Sequence, residues 1–148
     1  MQLTSPAFQH NTQIPSKYTC DGGDINPPLE ISGIPKNTKS LALIVDDPDA
    51  PRGDWVHWLV WNISPNVTSI AENSIPTGGI EGMTDFGRTG WGGPCPPSGA
   101  HRYQFKLFAL ATKLNLPMSA KKSDILSAMQ GHVLDQTMLI GSYQRQQR

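Results

Sequence analysis

Residues 40–51, S-L-A-L-I-V-D-D-P-D-A-P, decide how this chain is read. Leu41 to Val45 is short, unbroken and β-branched toward its end, and Asp-Pro and Ala-Pro follow at once. That pattern predicts a buried core strand in preference to a helix. The strand delivers Asp47 and Asp49 to a rim where Pro48 and Pro51 fix two φ angles and bias the residues before them to extended backbone. Carboxylates on so stiff a support suit a preorganised site, although a lone Asp in a turn more often only caps backbone N–H groups. One of the two acids is expected to do only that. Ala50–Pro51, closing a tight turn beside a site, is the candidate for a cis peptide bond.

Outward from this strand, Trp55 to Ile63, W-V-H-W-L-V-W-N-I, reads as a second strand. Period-two geometry puts His57, Leu59, Trp61 and Ile63 on one face and Val56, Trp58, Val60 and Asn62 on the other. Residues 101–110, H-R-Y-Q-F-K-L-F-A-L, form a third, with His101, Tyr103, Phe105 and Leu107 sharing a face opposite Arg102, Gln104 and Lys106. The first thirty-five residues alternate short extended pieces with turn signals, Leu29 and Ile31 marking one short strand. Ser119 to Asp135 is the one helix expected, from Ile125, Leu126, Met129 and Val133 at helical spacing. Thr137 to Tyr143 is a closing strand and Arg145 to Arg148 a frayed tail.

At 148 residues and 37% hydrophobic content, the chain suits one domain, residues 1–148. Thirteen prolines and fourteen glycines, scattered among apolar runs, fit a mostly β domain with long ordered loops. Twelve basic and twelve acidic residues balance, with no basic stripe, so no nucleic-acid partner is expected. No apolar run reaches the ~20 residues of a membrane span, and the N-terminus lacks the pattern of a leader. A cytoplasmic protein without membrane insertion is the expectation. Cys20 and Cys95 lack metal or redox spacing; free thiols are the default, with pairing between their loops left open.

The loop from Pro65 to Gly99 is long for a compact domain, which favours a functional role, and Gly92 to Gly99 joins flexible backbone to a stiff proline wall. Asp47, His57, His101 and Tyr103 each stand at one end of an otherwise apolar strand. Taken alone, each is more often a hydrogen-bonded structural residue. If the strand ends converge, the four make a polar pocket on an apolar floor. A metal site of two His and one Asp lacks the usual His spacing. A hydrolase using Cys95 with His101 lacks a nucleophile elbow. An anion pocket fits better, with two imidazoles, a phenol and loop N–H groups as donors and the Asp orienting an imidazole.

D-P-D-A-P at 47–51, W-V-H-W-L-V-W-N at 55–62 and G-P-C-P-P-S-G-A-H-R-Y at 93–103 resemble the signature regions of the phosphatidylethanolamine-binding protein family. Y-T-C-D-G at 18–22 and P-P-L at 27–29 resemble its bacterial Raf-kinase-inhibitor-like branch. The resemblance spans nearly the whole chain. It implies a mostly β sandwich with long loops and one short C-terminal helix. It also implies a cavity that binds small anions or phosphorylated head groups, and the expectation is a non-catalytic protein without metal or cofactor. Asp47, Pro51, Trp55, His57, His101 and Tyr103 fall on the family's pocket positions, with Gly93, Pro96 and Pro97 in the loop beside them and Asp49 as a structural acid. It further implies a homodimer, and as an alternative function inhibition of a kinase or protease through protein contacts. The chain lacks the C-terminal extension that helps close the pocket in larger eukaryotic members.

Overall fold

The computed structural model describes residues 1–146. Its strands are β1 (Gln2–Thr4), β2 (Thr12–Gln13), β3 (Leu29–Ser32), β4 (Ser40–Asp47), β5 (Trp55–Ile63), β6 (Ser69–Ile70), β7 (Ile80–Glu81), β8 (His101–Leu110) and β9 (Val133–Tyr143). One helix, α1, spans Lys122–Met129. Two open sheets form, β1-β3-β6 and β2-β9-β8-β4-β5-β7. This is the mostly β architecture with one short helix expected above.

β4 lies between β8 and β5 and is buried along its whole length, because alternate residues serve two cores. Leu41, Leu43 and Val45 pack with Leu29, Ile31 and Ile70 of the small sheet. On the opposite face, Ala42 and Ile44 pack with Ile125 and Met129 of α1. The large sheet is thus covered on both sides near its centre.

Two irregularities in β5 overturn the simple alternation expected for it. Val45 faces Trp58 while Asp46 faces Val56, so His57 is an extra residue. Leu43 faces Val60 while Leu41 faces Ile63, and Asn62 takes a φ of 57° between them. Each bulge reverses the parity of the side chains. Trp58, Val60 and Ile63 therefore enter the core between the sheets, whereas Val56, Leu59 and Trp61 join the α1 side. His57 does not share a face with Leu59 and Trp61; its ring lies 5.1 Å from that of Tyr103.

The helix is shorter than the expected Ser119–Asp135. Gly131, at φ 82°, breaks it, and Val133 pairs with Leu110 as the first residue of β9. Ile125 and Met129 form its buried stripe. The described residues contain no cis peptide bond, so Ala50–Pro51 is trans. The reversal is made instead by Gly53 N–H donating to the Ala50 carbonyl at 3.0 Å, with Gly53 at φ 104°. In the expected frayed tail, Arg145 is anchored, its Nε donating to Asp21 Oδ1 at 3.0 Å; residues 147 and 148 lie outside the described residues.

Cys20 and Cys95 are joined in a disulfide, against the default of free thiols. The two loops run side by side, with Cys20 N–H donating to the Pro94 carbonyl at 3.1 Å, which places the Cα atoms 5.5 Å apart. Such a bond persists in oxidising compartments or in the cytoplasm of hyperthermophiles. The cysteines therefore give no support to a cytoplasmic location. No helix among the described residues is long and apolar enough to cross a membrane.

Candidate functional site

Three strand ends meet at one rim. β4 ends at Asp47, β8 begins at His101, and the bulge in β5 turns His57 toward Tyr103. All four side chains are buried, from 1% exposed for Tyr103 to 7% for His101. Their polar atoms therefore need partners or a ligand.

Asp47 has two tasks. Its Oδ1 accepts the Asp49 N–H at 2.8 Å, closing the turn, and its Oδ2 accepts from His101 Nδ1 at 2.7 Å. His57 Nδ1 donates to the Gly92 carbonyl at 2.5 Å. Both Nδ1 partners are acceptors, so each ring carries its proton there and keeps Nε2 for a ligand. Neither Nε2 has a partner among the described residues, and neither is among their fully buried unsatisfied atoms.

The two imidazoles differ in environment. Burial pushes the His57 pKa below the usual imidazole value, outweighing the Gly92 carbonyl and the carboxylates of Asp47, Asp46 and Asp24, which act the other way. Near neutral pH its Nε2 is consequently an acceptor, unlike the donor expected from residue type. The Tyr103 hydroxyl is buried with no partner among the described residues, and burial raises its pKa, so it stays a neutral O–H.

Above these groups is a cavity of ≈ 220 Å³. Asp47, His57, His101 and Tyr103 line it together with Ala50, Pro51, Trp55, Phe86, Cys95, Pro96 and Pro97. Trp55 and Phe86 pack edge to face at 5.6 Å and remain over a third exposed. Eight of the nine residues singled out from the sequence thus surround one space. Gly93 does not. Its N–H donates to Asp24 Oδ1 at 2.7 Å, and a Cβ there would lie 2.5 Å from the Tyr18 carbonyl oxygen, so it is the close-approach point between two loops.

Asp49 is occupied with Arg102. Its Oδ2 accepts from the Arg102 backbone N–H and Nε, and its Oδ1 from Nη2, all at 2.9 Å. This fork holds the Asp49 pKa down to about 2. Ala50 and Phe86 were missed as lining residues. Phe86 carries a weak signal, an aromatic ring in a loop rich in Gly, Thr and Asn. Among the described residues no three His, Cys, Asp or Glu side chains are grouped to hold a metal ion.

The family model described as "Phosphatidylethanolamine-binding protein" matches residues 4–144. The chain is 51% identical to the UPF0098 protein of Methanothermobacter thermautotrophicus, over 98% of this chain and 99% of that one. It is 44% identical to a UPF0098 protein of Chlamydia muridarum, with the same shares covered. Among solved structures, it resembles the phosphatidylethanolamine-binding protein homologue CT736 of Chlamydia trachomatis, with a TM-score of 0.95, 41% identity and 98% and 97% of the two chains covered. It also resembles E. coli YbcL, described as a member of the mammalian PEBP family, with a TM-score of 0.91, 34% identity and 98% of each chain covered.

Proposed function

Because the chain belongs to the phosphatidylethanolamine-binding protein family, we propose that it is a non-catalytic, single-domain binding protein for a small anion or a phosphorylated head group. The observation that carries this reading is the pair of histidines, each tied back through Nδ1 to an acceptor and left with a free Nε2 at one cavity. His101, braced by Asp47 at Nδ1, presents Nε2 to the ligand, and in its doubly protonated form that nitrogen donates to an anionic oxygen. The unpartnered Tyr103 hydroxyl supplies a second donor, and His57 Nε2 accepts a proton borne by the ligand. At ≈ 220 Å³ the cavity is smaller than the ~300 Å³ at which pockets for drug-sized ligands begin, which favours a head group over a whole lipid.

Cys95 is bound to Cys20, so a hydrolase reading has lost its nucleophile in the oxidised protein. Titration of phosphate and phosphoethanolamine by calorimetry tests the proposal. Binding is expected in the wild type and to weaken at least about tenfold in His101→Ala, the loss of a hydrogen bond to a charged group. No heat of binding at millimolar ligand would overturn it.

The exposed aromatic pair Trp55 and Phe86 at the mouth favours one second reading, a docking point for a kinase or protease that the protein inhibits. Inhibition that survives Trp55→Ala and Phe86→Ala together would remove that reading. We read the chain as a homodimer in solution, on the exposed Val133, Leu134 and Met138 of β9, and sedimentation of the wild type as a monomer would refute this.

A further inference from the structure

We infer that the Cys20–Cys95 disulfide is a thiol–disulfide exchange site served by the pocket, and that its substrates are small thiols bearing an anionic group. Cys95 lines the same cavity as His57 and His101, and both cysteines are exposed. Solvent-exposed disulfides are the labile class, open to attack by a thiolate. The preference for an anionic thiol rests on the anion reading above. An anion drawn to His101 Nε2 brings the thiol attached to it into the cavity that Cys95 borders.

The exchange balances as two displacements. The incoming thiolate attacks Cys95 Sγ and forms a mixed disulfide; the Cys20–Cys95 bond breaks with its electron pair going to Cys20, whose thiolate takes a proton from water. A second thiolate then attacks the small-molecule sulfur, releases a symmetric disulfide and leaves Cys95 as a thiolate. Two thiols are oxidised by two electrons, and the protein disulfide is reduced.

The reaction alters the pocket itself. Gly92 N–H donates to the His57 carbonyl at 3.0 Å, Gly93 is held by Asp24, and the Pro94 carbonyl accepts from Cys20 N–H. Beyond Pro94, no hydrogen bond among the described residues holds the segment 95–100 before β8 begins at His101. The disulfide is the cross-link of the wall formed by Pro96 and Pro97. Exchange therefore loads Cys95 with a ligand and unties that wall.

The test exposes oxidised protein to 2-mercaptoethanesulfonate, 2-mercaptoethanol and cysteamine at equal thiolate concentration. Rates are followed by intact mass, and the adduct is located by peptide mapping. The anionic thiol is expected to react at least about fivefold faster than the neutral one after correction for intrinsic nucleophilicity. Its adduct should sit on Cys95, and its advantage should vanish in excess inorganic phosphate and in His101→Ala. Phosphate competition decides the matter alone if that variant does not fold. Rates that follow nucleophilicity alone, or an adduct on Cys20, overturn the inference. Phosphate binding to the oxidised wild type, measured by calorimetry, separates the two readings. Binding there without an anionic advantage sinks the exchange site and leaves the anion pocket; no binding and no advantage sinks both.

Discussion

Asp47 accepts the Nδ1 proton of His101 at 2.7 Å while its other oxygen holds the Asp49 N–H at 2.8 Å, so one carboxylate sets both the turn and the orientation of the ring. Asp47→Asn keeps the shape and replaces the carboxylate that orients the His101 ring through Nδ1. Phosphate affinity is expected to fall about tenfold or more, the scale of one hydrogen bond to a charged group. Removing a negative charge beside an anion works in the opposite direction. An affinity that is unchanged or higher in calorimetry would show that repulsion is the larger effect and that the bracing of His101 has no role in binding.

His57 yields a prediction about which anions bind. With its pKa lowered by burial, it meets the ligand as a neutral acceptor across the neutral range. Sulfate carries no proton there and leaves Nε2 unmatched, whereas a phosphate monoester below its second pKa, near ~6, offers a P–OH. A phosphate monoester should outbind sulfate at pH 6.5 and lose much of that lead by pH 8. Equal affinities at pH 6.5 would mean that His57 is a protonated donor, and an NMR titration of the ring above ~6.5 would confirm it.

His57 was also where sequence reasoning went astray, for a physical reason. The three core strands were legible because Leu41 to Val45 is apolar on both faces and His101 to Leu107 alternates cleanly. A bulge leaves no mark of that kind: the extra residue at 57 and the left-handed Asn62 follow from the register against β4, a long-range property. The disulfide was hidden similarly, since 75 residues separate two loops that meet only once the sheets have formed. Phe86 reaches the pocket mouth from a loop without periodicity, where only the folded path can say which ring points inward. The helix was overextended because Val133 continues its spacing, while Gly131 had already ended it.

The Asp49–Arg102 fork should be visible in acid. A carboxyl held down to about 2 in the folded chain, against ~3.9 unfolded, adds stability that is complete above the unfolded value and is lost as pH falls from there toward the folded one. Arg102→Ala frees Asp49 from this restraint. Its melting temperature should therefore vary less with pH than the wild type's between pH 4 and pH 2. Parallel curves for the two proteins in that window would place the restraint elsewhere.

On the far side of the large sheet, Asp46 is fully buried, and its Oδ2 accepts from Lys106 Nζ at 3.0 Å and Lys122 Nζ at 2.7 Å, while Oδ1 has no partner among the described residues. Lys122 is the first residue of α1 and also donates to Asp54 Oδ2 at 2.7 Å, so this one ammonium pins the helix to β4 and separates two carboxylates. Lys122→Met keeps the apolar stem and deletes the charge. Removing one partner of a buried ion usually costs about 3–5 kcal/mol; Lys106 remains, so roughly 1–3 kcal/mol is expected. For a chain of this size that is a fall of roughly 3–10 °C in melting temperature. Asp54 should then titrate at still higher pH, because burial and the Asp46 charge already raise its pKa against the opposing pull of Lys122. Phosphate binding at the pocket on the other face should be unchanged. A melting temperature within about 1 °C of wild type would show that Lys106 alone satisfies Asp46 and that α1 is held by Ile125 and Met129 without help from charge.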